Sequence, residues 1–346
     1  MSIAQSAINP VTADVPCFIP THAEPHWRFH LTTFDNASTE ASTEAALTEA
    51  ALTEALTALS ERFSVDASTV RPLRSRCGAT ATLDIDGKVL FKYVRADPDQ
   101  PVTRRRHRGL VREAEVLAAL PASNLIDHHV DDTTAWTLQS WLGDHNVWKA
   151  TAGLRDAPTE PANRVRLLAL FQDMIEALGR LHAAGFYHGD LQPAHFIVGP
   201  SGSHLVDFDV AVPIGVASHY GGGMVHFVGP EVAREMAAGN TAIELHLAAE
   251  IYSLASVVFF LYTGRFSGWY GDAPAIDDLT TTDRDTKCRA IAAGRQRTFA
   301  MVGAEPFPEL EQLLTDCLAM DPTARPRSLD ALRERVSALL DRHATA

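Results

Sequence analysis

Cysteine is scarce. The 346 residues hold four (Cys17, Cys77, Cys288, Cys317), widely scattered, with no Cys-x-x-Cys pair and no His-x3-His partner. This argues against a disulfide framework and a structural zinc site, and fits thiols in a reducing compartment. Positive charge is also short, 30 Lys+Arg against 43 Asp+Glu for a net −13, so nucleic acid and anionic membrane are not expected partners of the whole chain, although a local basic patch could bind an anion. The N-terminus lacks a basic stretch followed by an apolar one, and no secretory signal is expected. A run fit to span a bilayer is missing too. LAAEIYSLASVVFFLYTG, Leu247 to Gly264, is near the lower length limit and carries Glu250 and two tyrosines, so a helix buried in a large domain and a cytoplasmic location are expected.

What is present is an ordinary globular share of hydrophobic residues, 46%, enough for two average domains or one bilobal unit. Residues 1–25 read as irregular, punctuated by Pro10, Pro16, Pro20 and Pro25. HWRFHLTTF then alternates, with Trp27, Phe29 and Leu31 on one face of a strand at 26–34. The repeat ASTEASTEAALTEAALTEALTALSERF favours a helix at about 38–63, with Leu52, Leu56, Leu59 and Phe63 on one stripe. Packing on the following domain is the expected role, a docking or regulatory helix the alternative. TATLDIDGKVLFKYV reads as a hairpin turning at Asp86-Gly87. GLVREAEVLAAL is helical in pattern, and TAWTLQSWL is another run. Beyond GLRDAPTEPAN the chain is mostly helical, beginning with RVRLLALFQDMIEALGRLH and its Val165, Leu168, Ile175 and Leu178. The expected architecture is α+β and bilobal: an N-terminal extension (1–66), a small mixed β-sheet lobe (67–142) and a larger, mostly helical lobe (143–346), with a ligand groove between the lobes.

The stretch FYHGDLQPAHFIVGPSGSHLVDFDVAV (Phe186 to Val212) sets Asp190 before one strand-like run and Asp207 after the next. LHAAGFYHGDLQPAHFIV resembles the catalytic loop of protein kinases, and LVDFDVAV the metal-binding segment that follows it. Phosphoryl transfer needs one carboxylate to orient a hydroxyl and accept its proton, and another to hold metal against nucleotide phosphates. The resemblance assigns these roles to Asp190 and Asp207. It extends from about Val70 to Leu340. VLFK matches the strand whose lysine contacts phosphate, here Lys92; Glu113 matches the helix acid that pairs with it, and Leu117 the apolar partner one turn on. GMVHFVGPE resembles the end of an activation segment. The run from Ala249 resembles the central helix, with Glu250 where aspartate is usual. CLAMDPTARP resembles the late motif whose arginine, here Arg325, pairs with Glu231. The implied function is an ATP- and Mg2+- (or Mn2+-) dependent phosphotransferase of the Hanks-type, serine/threonine kinase kind, with a protein or small-molecule hydroxyl as acceptor.

Several positions depart from that pattern. The phosphate-covering loop keeps only Gly78 of three glycines, with Arg76 and Ala81 at the other two, and Leu90 stands where a small residue usually faces adenine. Gly189 replaces an arginine, which removes the usual anchor for a phosphorylated activation loop. Gln192 replaces the lysine that supports the transferred group, and Met224 replaces a threonine. His195 stands where asparagine binds the second metal, and Asp209 replaces the glycine of Asp-Phe-Gly; both are candidate metal ligands, with a packing or capping role as the alternative. Asp209, Gln192 and His195 lean toward small-molecule kinases of the same superfamily, and the eroded loop, Leu90 and His195 toward a non-catalytic binding or scaffold module. The retained Lys92, Glu113, Asp190 and Asp207 favour catalysis. The basic run TRRRHRGLVR (Thr103 to Arg112) is expected to be a solvated face, with an anion-binding dock as the alternative.

Overall fold

The computed structural model describes residues 39–63, 65, 69–73, 81–220, 222–270 and 283–345; the side chains of 39–48 and 218 are outside that description. The strand expected at 26–34 and the loop carrying Arg76 and Gly78 lie outside the described residues. The Ala/Glu-rich repeat forms helix α1, Thr39–Phe63. The centre of its buried stripe is Ala51, Ala55 and Leu59, with Leu52, Leu56 and Phe63 half-buried at its margins. Alanines at the centre let the helix lie close to bulky residues on the sheet beneath, Leu83, Phe91 and Trp136. Phe63 meets the Trp136 ring edge-on at 5.5 Å, and the Arg62 guanidinium lies 4.7 Å over the same ring.

That sheet is antiparallel. Strands β1 (Val70–Leu73), β2 (Ala81–Ile85) and β3 (Val89–Arg95) precede helix α2 (Pro101–Ala119), and β4 (Leu125–Val130) and β5 (Thr134–Ser140) follow it, in the order β1-β2-β3-β5-β4. Asp86 and Gly87 form the expected turn, both at positive φ (56° and 66°), as a tight right-twisted hairpin requires. Side-chain alternation then divides β3. Phe91 and Tyr93 join the α1 cluster, whereas Val94 packs with Leu110 of α2 and Ala135 of β5. Lys92 shares the α2 face, and the sheet is covered on both sides.

The large lobe opens with β6 (His145–Asn146) and the short helices α3 (Val147–Ala150) and α4 (Ala152–Asp156). Helix α5 (Pro161–Ala183) buries Leu168, Ile175 and Leu178 as expected, together with Phe171, Met174 and Leu181; Val165 is only half-buried. After β7 (Phe186–Tyr187), strands β8 (Phe196–Gly199) and β9 (Gly202–Leu205) form a tight hairpin, and β10 (Val212–Pro213) pairs with β7. Strand β11 (Ser218–His219) pairs with β12 (Ala242–Ile243) across helix α6 (Pro230–Ala237). Helix α7 (Leu247–Thr263) is the apolar segment, and from Ala249 to Tyr262 it is buried at every position except Ser253. Each fully buried large side chain there is worth roughly 1.5–3 kcal/mol. Gly264, at φ 68°, ends the helix in the left-handed conformation. Helices α8 (Arg284–Ala292), α9 (Pro308–Cys317) and α10 (Leu329–Ala344) complete the lobe. No helix among the described residues is long and apolar enough to cross a membrane.

Candidate active site

The β8–β9 hairpin explains the spacing of the two aspartates. Its strands pair from Phe196↔Leu205 to Gly199↔Gly202, so the residues before β8 and after β9 emerge at one end. Val206 N–H donates to the His195 carbonyl at 3.0 Å and continues the pairing toward the cleft. Asp207 follows at φ 67°, a left-handed conformation that costs a non-glycine residue about 1–3 kcal/mol and concentrates at functional sites.

Across the cleft, Lys92 of β3 donates to both oxygens of Glu113 on α2, at 2.8 and 2.9 Å, and to Asp207 Oδ1 at 3.2 Å. Burial works against the ammonium, but Glu113 and Asp207 outweigh it and hold Lys92 above the usual lysine range. Lys92 in turn is the main reason that Asp207 stays well below the ordinary carboxylate range, against the opposing effect of burial. Glu113 also accepts from the buried Gln139 amide at 3.0 Å. Asp209 sits against α2 at Gly109, with Arg106 3.6 Å away. Burial first, then Asp207 and Glu113, raise Asp209 to about 7.

His195 bridges the two aspartates. Its Nδ1 lies 2.9 Å from the Asp190 carbonyl and its Nε2 3.3 Å from Asp207 Oδ2. Both ring nitrogens face oxygen atoms, an arrangement that favours the protonated ring. Burial opposes that charge, yet Asp190 and Asp207 outweigh it and raise His195 to about 9. Asp190 takes its side-chain hydrogen bonds from uncharged donors, with His195 Nδ1 3.7 Å from its Oδ2. Its Oδ2 accepts from the Gln192 amide at 2.9 Å, and its Oδ1 from Met224 N–H at 2.6 Å.

The backbone of the loop that carries Asp190 hangs from Glu250 on α7. Its carboxylate accepts from His188 N–H at 3.1 Å and Gly189 N–H at 2.9 Å, with His182 Nε2 at 3.2 Å. Burial opposes ionisation, but these donors prevail and Glu250 lies below its ordinary range. The wholly buried His188 ring accepts at Nδ1 from Asp190 N–H and donates at Nε2 to the Val206 carbonyl, as one neutral tautomer; burial and His195 both lower its pKa. Arg325 grips Glu231 with two bonds, 2.7 and 2.8 Å, and donates to the Ala319 and Ala248 carbonyls. Leu117 and Phe208 are buried in the main core beneath these groups. In the basic run, Arg104, Arg105 and Arg108 are exposed, whereas His107 is buried against the Asp131 carbonyl.

The donor chemistry fits one hard cation. Magnesium takes one or two carboxylates and fills its remaining positions with phosphate oxygens and water, and Asp207, 43% exposed, offers such a carboxylate. Among the described residues no three His, Cys, Asp or Glu side chains cluster as a protein-only cage. His195 Nε2 lies beside the same Asp207 carboxylate, 3.3 Å from Oδ2.

Sequence reading passed over Gln139, Tyr220 and Gly223. Gln139 had a signal, since a glutamine inside the otherwise buried run β5 needs a polar partner. Tyr220 reaches the Asp190 loop only through the fold: its hydroxyl donates to the Gly189 carbonyl and accepts from Gly223 N–H at 3.0 Å.

The two lobes and the Lys92–Glu113 pair define the protein-kinase fold. Among solved structures, the granulovirus kinase PK-1 of Cydia pomonella superposes with a TM-score of 0.56 over 82% of this chain and 98% of that one, at 11% identity. By sequence the chain is 27% identical over 249 residues to the serine/threonine-protein kinase AfsK of Streptomyces coelicolor, covering 70% of this chain and 28% of the relative. It is 30% identical over 187 residues to PkaB of the same organism, covering 50% of this chain and 39% of the relative. Over 98 residues it is 33% identical to PknA of Mycobacterium tuberculosis, covering 27% and 22%. The chain thus spans well under half the length of these relatives. No protein-family model matches it. In fold and in sequence the chain is thus similar to protein kinases.

Proposed function

We propose that this chain is a phosphotransferase that moves the γ-phosphoryl group of ATP to a hydroxyl, acting as an atypical bacterial-type serine/threonine protein kinase. One observation carries the reading: the Lys92–Glu113–Asp207 ion cluster is joined through His195 to Asp190 in a single cleft. Lys92 binds the phosphates and is held in place by Glu113. Asp207 holds the metal, which when bound would screen the phosphate charge as it develops. Asp190 orients the acceptor hydroxyl and takes its proton, with Gln192 and Met224 N–H aligning the carboxylate. His195 keeps the two aspartates in register rather than binding a second ion, and Asp209 packs under α2 beside Arg106. The serine/threonine-protein kinase names of the relatives support a protein acceptor.

Labelled ATP with magnesium or manganese, offered with pools of proteins and of metabolites, tests this against Asp207→Ala. Metal-dependent label in protein, absent from the variant, is the expected result. Label confined to metabolites would reassign the chain to the small-molecule kinases. Nucleotide consumption no higher than that of the variant would make it a binding module.

A further inference from the structure

Gly189 occupies a position with φ 78°, and a Cβ there would meet the Tyr220 ring at 2.9 Å and the Val210 carbonyl at 3.0 Å. The absent side chain has been replaced by the aromatic ring of another segment. Tyr220 is 5% exposed and packs in an apolar cluster with Tyr187, Val212 and Leu245. Its backbone is fixed by Tyr220 N–H donating to the Thr241 carbonyl at 2.8 Å, beside the β11–β12 pair. The phenol then joins two segments, donating to Gly189 O and accepting from Gly223 N–H at 3.0 Å. Gly223 is bare for a related reason, since a Cβ would fall 2.5 Å from Asp190 Oδ1. The next residue, Met224, gives its N–H to that same Asp190 oxygen at 2.6 Å.

We infer that Tyr220 is a positioning residue that ties the activation segment to the catalytic loop and thereby sets the Met224 N–H that aligns Asp190. Kinase activation segments are commonly ordered by a phosphate held on arginine; here a neutral phenol makes the tie, and no phosphate is required. The catalytic part rests on the proposed phosphotransfer, whereas the tether itself does not.

Tyr220→Phe keeps the ring and deletes both hydrogen bonds. With the tie lost, kcat is expected to fall about 10-fold, with the KM for ATP within about 2-fold and little change in Tm. Hydrogen exchange of the Gly223 and Met224 amides in the full chain should accelerate about 10-fold, and phosphatase treatment of the wild-type chain should leave that exchange unchanged. Unchanged exchange in Tyr220→Phe overturns the inference. Faster exchange with kcat intact, or kcat, ATP KM and Tm falling together, overturns the positioning role. Exchange that rises on phosphatase treatment overturns independence from phosphate. If the wild-type chain consumes no more ATP than Asp207→Ala, the phosphotransfer reading fails, and the exchange measurement still decides whether the tether exists.

Discussion

At the lysine end of the cleft, Lys92, Glu113 and Asp207 hold one another by charge, whereas at the proposed base end Asp190 takes its hydrogen bonds from two uncharged donors, the Gln192 amide and Met224 N–H, with the His195 ring 3.7 Å away. The first arrangement is self-contained. Each charge is stabilised by a neighbour, and removing one strands the others in a poorly solvated site. The second borrows its geometry from the activation segment, because Met224 is placed by Gly223 and Tyr220 in one direction and by the Val225–Phe227 turn in the other. The lysine end should therefore fail through stability and nucleotide affinity, and the base end through turnover.

The largest effect expected is on turnover at the base end. Asp190→Asn should lower kcat by roughly 10²- to 10⁴-fold, the usual worth of a positioned general base, in a labelled-phosphate assay with Asp207→Ala as background. A loss below 10-fold would remove Asp190 from that role. At the lysine end, Lys92→Met leaves the buried Glu113 with Gln139 as a remaining donor. It should cost about 3–5 kcal/mol in chemical denaturation and raise the ATP KM; an unchanged unfolding midpoint would erase the contrast between the two ends.

Acid should separate the ends as well. His226, in the turn after Met224, is stacked on Phe266 at 4.0 Å and bonded to the Tyr270 hydroxyl at 2.8 Å. Burial first, then Lys287 and Arg297, press its pKa down to about 3. The unfolded chain takes up this proton near its ordinary pKa of about 6.5, while the folded chain excludes it until about pH 3. The contribution of His226 to stability is therefore lost as pH falls through that interval, by about 2 kcal/mol between pH 7 and pH 5, while the raised Asp209 and His195 act in the opposite sense. Denaturation of wild type and His226→Gln at pH 7 and pH 5 isolates this contribution, since Asp209 and His195 titrate alike in both chains: the difference between them should change by about 2 kcal/mol, and an unchanged difference would move the effect elsewhere. The smallest change is expected for Gln192→Ala, about 1.5 kcal/mol in kcat/KM carried by kcat, because one donor to a charged acceptor is lost while Met224 N–H remains. A shift confined to the ATP KM would place Gln192 with the lysine end.

Legibility in the sequence followed the range of the contacts. Asp190 and Asp207 could be paired by eye because a short hairpin lies between them, and the Glu231–Arg325 pair because both residues sit in strongly patterned motifs. The apolar run from Leu247 declared a buried helix by composition alone. The Tyr220–Gly189 contact left no such trace. A tyrosine in an otherwise polar, glycine-rich stretch gains its role only when β11 and β12 fix the chain opposite the catalytic loop. His195 was legible as a residue of interest, but its service to two acceptors depends on both aspartates at once. In α1 the leucines drew attention, yet the close-packed centre falls on Ala51 and Ala55, since a periodicity in size is weaker than one in hydrophobicity.

Anyone trimming this chain to its catalytic lobes would naturally begin at the first strand, Val70. Such a cut would strip the lid from Phe91, Tyr93 and Trp136 and leave an aromatic plate open to water on the back of the strand that carries Lys92. Shortened versions should associate or precipitate more readily than the longer chain, a practical reason to keep the alanine-rich segment in any expressed fragment.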